Sequence, residues 1–327
     1  MTGSAAVPAH TLDPGKFQNP DRTVTGEVRA RVRLGAIRTL WFNTGTLCNL
    51  TCRNCYMESS PTNDRLVYLS AAEVATYLDE LETLAGEAED PEDREIGFTG
   101  GEPFMNPEII TMLADALDRG HRALVLTNAM LPMQHRQADL LALKARHGDR
   151  FTIRVSIDHY TPALHELERG ARSWDGMNAG LRWLAENGFH FTVAGRTCWG
   201  ESADVERGGY ARLFASLGLA VNAADPSRLV LFPEMDEDLD VPEITEGCWH
   251  ALNVSPDAMM CAGSRMVVKR KGSAHPVVVP CTLLPYDERF EMGRTLAESL
   301  GAVKLNHPHC ARFCVLGGGS CSAPCSG

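Results

Sequence analysis

From Val24 to Leu34 the chain alternates, with Val24, Gly26, Val28, Ala30, Val32 and Leu34 on one side and Glu27, Arg29, Arg31 and Arg33 on the other. A period of two predicts a half-exposed strand. Gly35 turns it into a second apolar run, Ile37 to Phe42, which reads as the first strand of the main fold. Behind it, Ser70-Ala71-Ala72-Glu73 has the spacing of a capping box, and Val74, Tyr77, Leu78, Leu81 and Leu84 recur at helical intervals.

The same unit then repeats. Glu95 to Phe98 is a short strand that ends in Thr99-Gly100-Gly101-Glu102-Pro103. Asn106-Pro107 opens a helix carrying Ile110, Leu113 and Leu117, closed by Gly120, and Arg122 to Leu126 is the next strand. A helix near 135–146, a strand Phe151 to Ile157, a helix from about Trp174 to Asn187 and a strand His190 to Ala194 follow. A helix around Tyr210 to Leu217 and a strand Leu229 to Phe232 close the series. Six apolar strands separated by helices predict an α/β fold whose parallel sheet is covered by helices. Periodicity leaves open whether that sheet is flat or a partial barrel.

The texture changes after Pro233. Residues 234–240 are acidic, the usual composition of a solvated connector, and the chain beyond is rich in glycine and cysteine. Residues 1 to about 22, with Pro8, Pro14 and Pro20, read as a lead-in. The expected divisions are therefore 1–37, an N-terminal extension with a strand; 38–240, the core; and 241–327, a cysteine-rich tail.

Composition changes this picture in one respect. The 327 residues are 44% hydrophobic and 22% charged, enough apolar surface for a sizeable core, which excludes whole-chain disorder. A net charge of -11 argues against electrostatic nucleic-acid binding, and no stretch approaches a membrane-spanning run. The N-terminal residues have no basic and apolar signal pattern, so a cytoplasmic location is expected. The informative entry is cysteine: of 11, three lie at 48–55, Cys198 stands alone, and seven fall between Cys248 and Cys325. In a reducing compartment such clusters are metal ligands or redox groups more often than disulfides.

Cys48, Cys52 and Cys55 follow the first strand directly. Three thiolates at this spacing suit three irons of a cubane, leaving the fourth iron open; a zinc knuckle is the alternative. The triad followed by the aromatic Tyr56, together with Gly100-Gly101-Glu102-Pro103 after the second strand, resembles the radical SAM superfamily over about residues 38–233. The resemblance implies a partial (β/α)6 barrel and a [4Fe-4S] cluster on Cys48, Cys52 and Cys55, whose open iron is chelated by S-adenosylmethionine (SAM). It implies that Gly100 to Glu102 receive the SAM amino group, beside Pro103, and that Tyr56 stacks near the adenine. Reduction would then yield a 5'-deoxyadenosyl radical that abstracts a substrate hydrogen.

The resemblance also implies SAM contacts at further strand ends: Thr127 and Asn128; Ser156 and Asp158, at the ribose hydroxyls; and Arg196, at the carboxylate; each is otherwise a strand-end cap or turn residue. Cys198 is a candidate hydrogen-atom donor and otherwise a buried apolar cysteine. His159 and Tyr160 are candidates for handling a substrate proton, or else pack on their loop.

The tail resembles the SPASM/twitch extension of radical SAM enzymes, which implies one or two auxiliary [4Fe-4S] clusters. One pairing puts Cys248, Cys261, Cys281 and Cys325 on one cluster and Cys310, Cys314 and Cys321 on another, completed by an open iron or by His307 or His309. The competing pairing is a single twitch-like cluster on Cys261, Cys281, Cys310 and Cys314. A zinc site remains an alternative. Gly272 and the run Pro276 to Pro280 fit a small hairpin between Cys261 and Cys281.

The function expected is oxidation or epimerisation of a small molecule or short peptide by hydrogen abstraction, with a flavodoxin- or ferredoxin-type electron donor. A maturase of ribosomally made peptides and a non-catalytic zinc or iron-sulfur scaffold are the alternatives.

Overall fold

The computed structural model describes residues 11–85, 90, 94–233 and 235–319. In chain order its strands and α-helices are β1 (Arg31–Val32), β2 (Thr39–Asn43), α1 (Ala71–Ala85), β3 (Glu95–Thr99), α2 (Ile109–Asp118), β4 (Arg122–Thr127), α3 (Leu131–Gln134), α4 (Gln137–His147), β5 (Phe151–Ser156), α5 (Pro162–Arg169), α6 (Ser173–Glu186), β6 (Phe191–Arg196), α7 (Ala203–Ser216), β7 (Leu229–Phe232), α8 (Glu246–Ala251), β8 (Ser264–Val268), β9 (Val277–Val279) and β10 (Val303–Lys304).

The six predicted core strands form one parallel series, β2 to β7, each paired with the next. The sheet does not stop at β2. Strand β8 pairs parallel to it, Thr39 opposite Ser264, and β9 adds antiparallel to β8, so the order is β7-β6-β5-β4-β3-β2-β8-β9. Gly272, at a φ of +81°, lies in the turn of that β8–β9 hairpin. One sheet thus runs across the expected boundary at residue 240.

Side-chain alternation divides the core into two. Leu40, Phe42, Ala123, Val125 and Val267 face a cluster shared with α1, α2, α4 and α6, whereas Trp41, Leu124, Met266 and Val268 face a second cluster that contains the tail residues Leu283, Val303, Leu305 and Phe313. Helices cover one face of the sheet and the tail covers the other. Burial on both faces explains why these strands read as continuous apolar runs.

Helix α1 has the expected capping box: Glu73 N–H donates to Ser70 Oγ at 3.2 Å, and Ser70 N–H donates to Glu73 Oε2 at 2.9 Å. The alternating segment 24–34 departs from expectation. Only Arg31–Val32 is strand, paired antiparallel with β10, and the polar and apolar sides are partly exchanged. Val24 and Val28 are exposed, while Arg29 is fully buried. Its guanidinium donates to the carbonyls of Asn19, Arg22 and Leu305 and pairs with Glu243. A buried cation so fully bonded outweighs the period-two pattern.

Candidate functional site

The site lies at the C-terminal ends of the parallel strands. After β2 the chain turns through residues 43–47. Asn43 Oδ1 accepts the Gly45 N–H at 3.0 Å, and the Thr44 N–H reaches Thr99 O at 2.8 Å. The turn after β3 nests on this loop: Gly101 N–H donates to Gly45 O at 2.8 Å and Glu102 N–H to Leu47 O at 3.1 Å. A Cβ on Gly100, whose φ is +140°, would come 2.4 Å from Gly45 O, and one on Gly101 would come 2.2 Å from Leu47 O. Both positions therefore require glycine, for contact with the cysteine-bearing loop itself.

One cavity collects Cys48, Cys52, Cys55 and Tyr56 from that loop, Gly100 and Gly101 from the β3 turn, Thr127 and Asn128 after β4, Ser156 and Asp158 after β5, and Arg196 at the end of β6. These eleven residues come from five strand ends and include most of the predicted SAM and cluster contacts. Ser59 Oγ, also in the lining, is buried with no hydrogen-bond partner, a donor turned toward whatever fills the cavity.

The donor chemistry suits a cluster. Three thiols line one cavity, enough for three irons of a cubane with the fourth left open. Burial raises Cys48 to about 12, partly offset by the Leu50 N–H that donates to its sulfur at 3.4 Å. Burial likewise raises Cys52 to about 11, against the lowering field of Arg169. Metal loading must therefore release protons from these thiols.

Other predicted residues sit elsewhere. Glu102 does not line the cavity. Its carboxylate accepts from Thr127 Oγ1 at 2.8 Å, Asn128 N at 2.9 Å and Phe104 N at 3.3 Å, which ties the β3 turn to the end of β4. Burial pushes its pKa up to about 7 in spite of those three donors. Pro103 starts a short 3-10 turn behind it. Cys198 lies two residues past β6, outside the lining. His159 stacks on Tyr160, ring centroids 4.0 Å apart, and Tyr160 Oη donates to Glu201 at 2.9 Å. Neither ring lines the cavity.

Sequence reading missed α5 and two residues at its end. Glu168 accepts the Asn54 N–H at 2.8 Å and its side-chain amide at 3.0 Å, while Glu168 O accepts the Arg53 N–H at 2.8 Å. Arg169 forms a two-point ion pair with Asp158, Nε to Oδ2 at 2.6 Å and Nη2 to Oδ1 at 3.1 Å. Arg196 in turn donates to Asn54 O at 2.6 Å. The cysteine loop is thus clamped from α5 and β6. The signal was present in Pro162 at the first helical turn and Gly170 just past the end.

In the tail, Cys261 and Cys281 bracket the β8–β9 hairpin, as the resemblance implied. Cys310 and Cys314 lie four residues apart on a π-helical stretch, Cys310–Leu316. Cys261, Cys281 and Cys310 belong to the second apolar cluster, and Cys314 and Cys248 pack against it. Burial raises Cys261 to about 11 and Cys310 to about 12. The Cys248 sulfur accepts the Thr245 N–H at 3.4 Å, within the cap of α8. Cys321 and Cys325 lie outside the described residues.

A parallel strand series whose C-terminal ends gather three thiols and a glycine turn around one cavity defines a barrel-type α/β protein with a cofactor site at the strand ends. Residues 42–200 match the family described as the Radical SAM superfamily. Among curated proteins, the AdoMet-dependent heme synthase of Nitratidesulfovibrio vulgaris is 29% identical over 152 residues, 45% of this chain and 36% of that protein. The match thus spans about a third of that relative's length. Among solved structures, Streptococcus suis SuiB bound to S-adenosylmethionine is similar over 79% of this chain and 63% of its own, with a TM-score of 0.56 and 14% identity. SuiB bound to its precursor peptide SuiA gives a TM-score of 0.59 at 13% identity over 82% of this chain and 66% of its own. Native anSMEcpe with bound AdoMet gives 0.56 at 14% identity over 82% and 81%. At these identities the structural likeness establishes the fold. Among the described residues, no helix is long and apolar enough to cross a membrane.

Proposed function

We propose that the protein cleaves SAM reductively and uses the resulting radical to abstract a hydrogen atom from a small molecule or short peptide, oxidising or epimerising it. The observation that carries this reading is the convergence of Cys48, Cys52 and Cys55 with Gly100, Gly101, Thr127, Asn128, Ser156 and Arg196 on one cavity. When bound, a [4Fe-4S] cluster supplies an open iron and one electron to the sulfonium of SAM. The chain does the rest. Asn54, held by Glu168 and Arg196, fixes the spacing of Cys52 and Cys55. Arg169 and Arg196 line the cavity and would hold the SAM carboxylate, and the hydroxyls of Thr127 and Ser156 would offer hydrogen bonds to its polar groups. Leu126, Phe232, Met235, Leu283 and Phe313 wall the opposite side and keep water from a reactive carbon centre.

That apolar wall, two of its five residues from the tail, favours a substrate that brings an apolar group to the reacting carbon. The peptide bound by SuiB makes a short peptide a reasonable member of that class. For the tail, residues 241–327, we propose one auxiliary [4Fe-4S] cluster on Cys261, Cys281, Cys310 and Cys314. This pairing leaves Cys248 in its helix cap. A cytoplasmic location with a flavodoxin- or ferredoxin-type donor accords with such oxygen-sensitive chemistry.

The test is anaerobic reconstitution followed by SAM and dithionite. Release of 5'-deoxyadenosine is expected, together with about eight irons per chain. A colourless, zinc-only protein that leaves SAM intact would decide for a metal-binding scaffold instead.

A further inference from the structure

Beside the apolar wall, three side chains meet that neither thiol site uses. One ligand atom from each of Glu237, His307 and His309 lies within 4.8 Å of the other two, and among the described residues this is the one such trio. Glu237 comes from the connector after β7. The two histidines flank Pro308 immediately before the π-helical stretch. Their rings stand 4.8 Å apart, and His307 Nε2 is 3.4 Å from Glu237 Oε2.

Both imidazoles are buried, at 8% and 6% exposure, and His309 Nδ1 has no hydrogen-bond partner. An unpartnered ring nitrogen costs free energy where it stands unless something binds it. We propose that Glu237, His307 and His309 form a mononuclear site for a divalent transition metal at the rim of the cavity. Two imidazoles and one carboxylate suit zinc or ferrous iron rather than calcium or magnesium. Three protein ligands leave positions open for water or for a donor group of a bound substrate.

One contact opposes loading. His307 Nδ1 now accepts the His309 N–H at 3.1 Å, so a metal at Nε2 requires the ring to carry its proton on Nδ1 and to give up that bond. The loss of that single hydrogen bond is small beside the gain from a metal-ligand set. Asp236 and Asp287 add negative field near the two rings, while Arg289 is engaged by Asp287 and Arg312 by the carbonyls of Leu239 and Asp240. The geometry has a structural consequence, because Met235 lies two residues before Glu237 and Phe313 four after His309, and both line the cavity. A metal here would pin the connector to the tail and so fix the apolar wall.

The inference does not rest on SAM cleavage, and its test reads metal content alone. Full-length protein with its clusters reconstituted is equilibrated with zinc, desalted and analysed for zinc and iron, alongside His309→Ala and Glu237→Gln. Glu237 is largely exposed, its side chain at 59%, so the second variant keeps the fold intact if the first does not. The expected result is one zinc per chain in the parent and affinity weakened more than about tenfold in both variants, at unchanged iron. Equal zinc uptake in all three proteins would overturn the site. So would loss of about four irons in His309→Ala, which would make that histidine a cluster ligand.

Discussion

The loop Cys48–Cys55 and the tail cysteines Cys261, Cys281, Cys310 and Cys314 hold buried and half-buried thiols in contrasting surroundings. The first set is held by polar bonds, from Glu168 and Arg196, and faces a cavity ringed by hydroxyls, amides and an arginine. The second is packed among Met260, Leu283, Phe290 and Phe313. A site that must exchange a charged ligand at each turnover needs polar groups around an open position. A site that only holds or passes an electron does better sealed in apolar surroundings. The two are also neighbours, for Cys55 and Tyr56 pack against the apolar cluster that contains the tail thiols.

The largest effect that would break this comparison is on SAM cleavage. Cys52→Ala should abolish 5'-deoxyadenosine release, a loss of more than about a thousandfold if the bound cluster is the sole electron path to SAM. Cys281→Ala should retain that release while iron falls from about eight to about four per chain. If instead Cys281→Ala stops SAM cleavage and Cys52→Ala spares it, the roles assigned to the two sets are reversed.

Next in size is the polar frame of the first set. Asp158→Asn leaves Arg169, whose side chain is 13% exposed, without its two-point carboxylate partner. Removing one member of a buried pair costs about 3–5 kcal/mol. The melting temperature should fall by about 6–20 °C. A shift below about 2 °C would mean that Arg169 finds an equivalent partner in the cysteine loop and that the frame is redundant.

Much of this was legible before any coordinates. The six parallel strands follow from apolar runs bounded by helix caps, and the cavity gathers residues the strand ends had marked. What escaped reading has common physical causes. Strand β8 joins β2 through backbone pairing between residues more than 200 positions apart, and no local pattern encodes such a partner. Glu102 is a carboxylate after a glycine pair, which reads as a ligand. Only the packed structure reveals that both its oxygens are occupied by Thr127, Asn128 and Phe104. Arg29 reads as the polar side of a strand because its compensating carbonyls lie as far away as Leu305.

Glu102→Gln sharpens the point about occupied oxygens. A glutamine offers one carbonyl in place of two acceptor oxygens and would turn its NH2 toward either the Asn128 N–H or the Thr127 hydroxyl. The expected cost is about 1–3 kcal/mol, visible as a lower melting temperature, with SAM cleavage reduced because Thr127 and Asn128 line the cavity. Unaltered stability would show that the carboxylate is already protonated and bonded as an acid.

The smallest effect concerns a carboxylate that neither cysteine set uses. Glu206, on α7, is fully buried, and neither of its oxygens has a hydrogen-bond partner. Burial, followed by the nearby charge of Glu201, pushes its pKa up to about 7 from an ordinary 4.5. The folded chain therefore keeps a proton that the unfolded chain releases above about pH 4.5, so stability from this group is present at low pH and declines as pH rises toward 7. Glu206→Gln removes that dependence. At about pH 4, where the glutamate is largely neutral in the folded and the unfolded chain, parent and variant should melt more nearly alike. At pH 8 the variant should be more stable by on the order of 1 kcal/mol, or about 2–4 °C in melting temperature. Equal differences at the two pH values would mean that Glu206 is ionised in the fold, and that an internal cation compensates it.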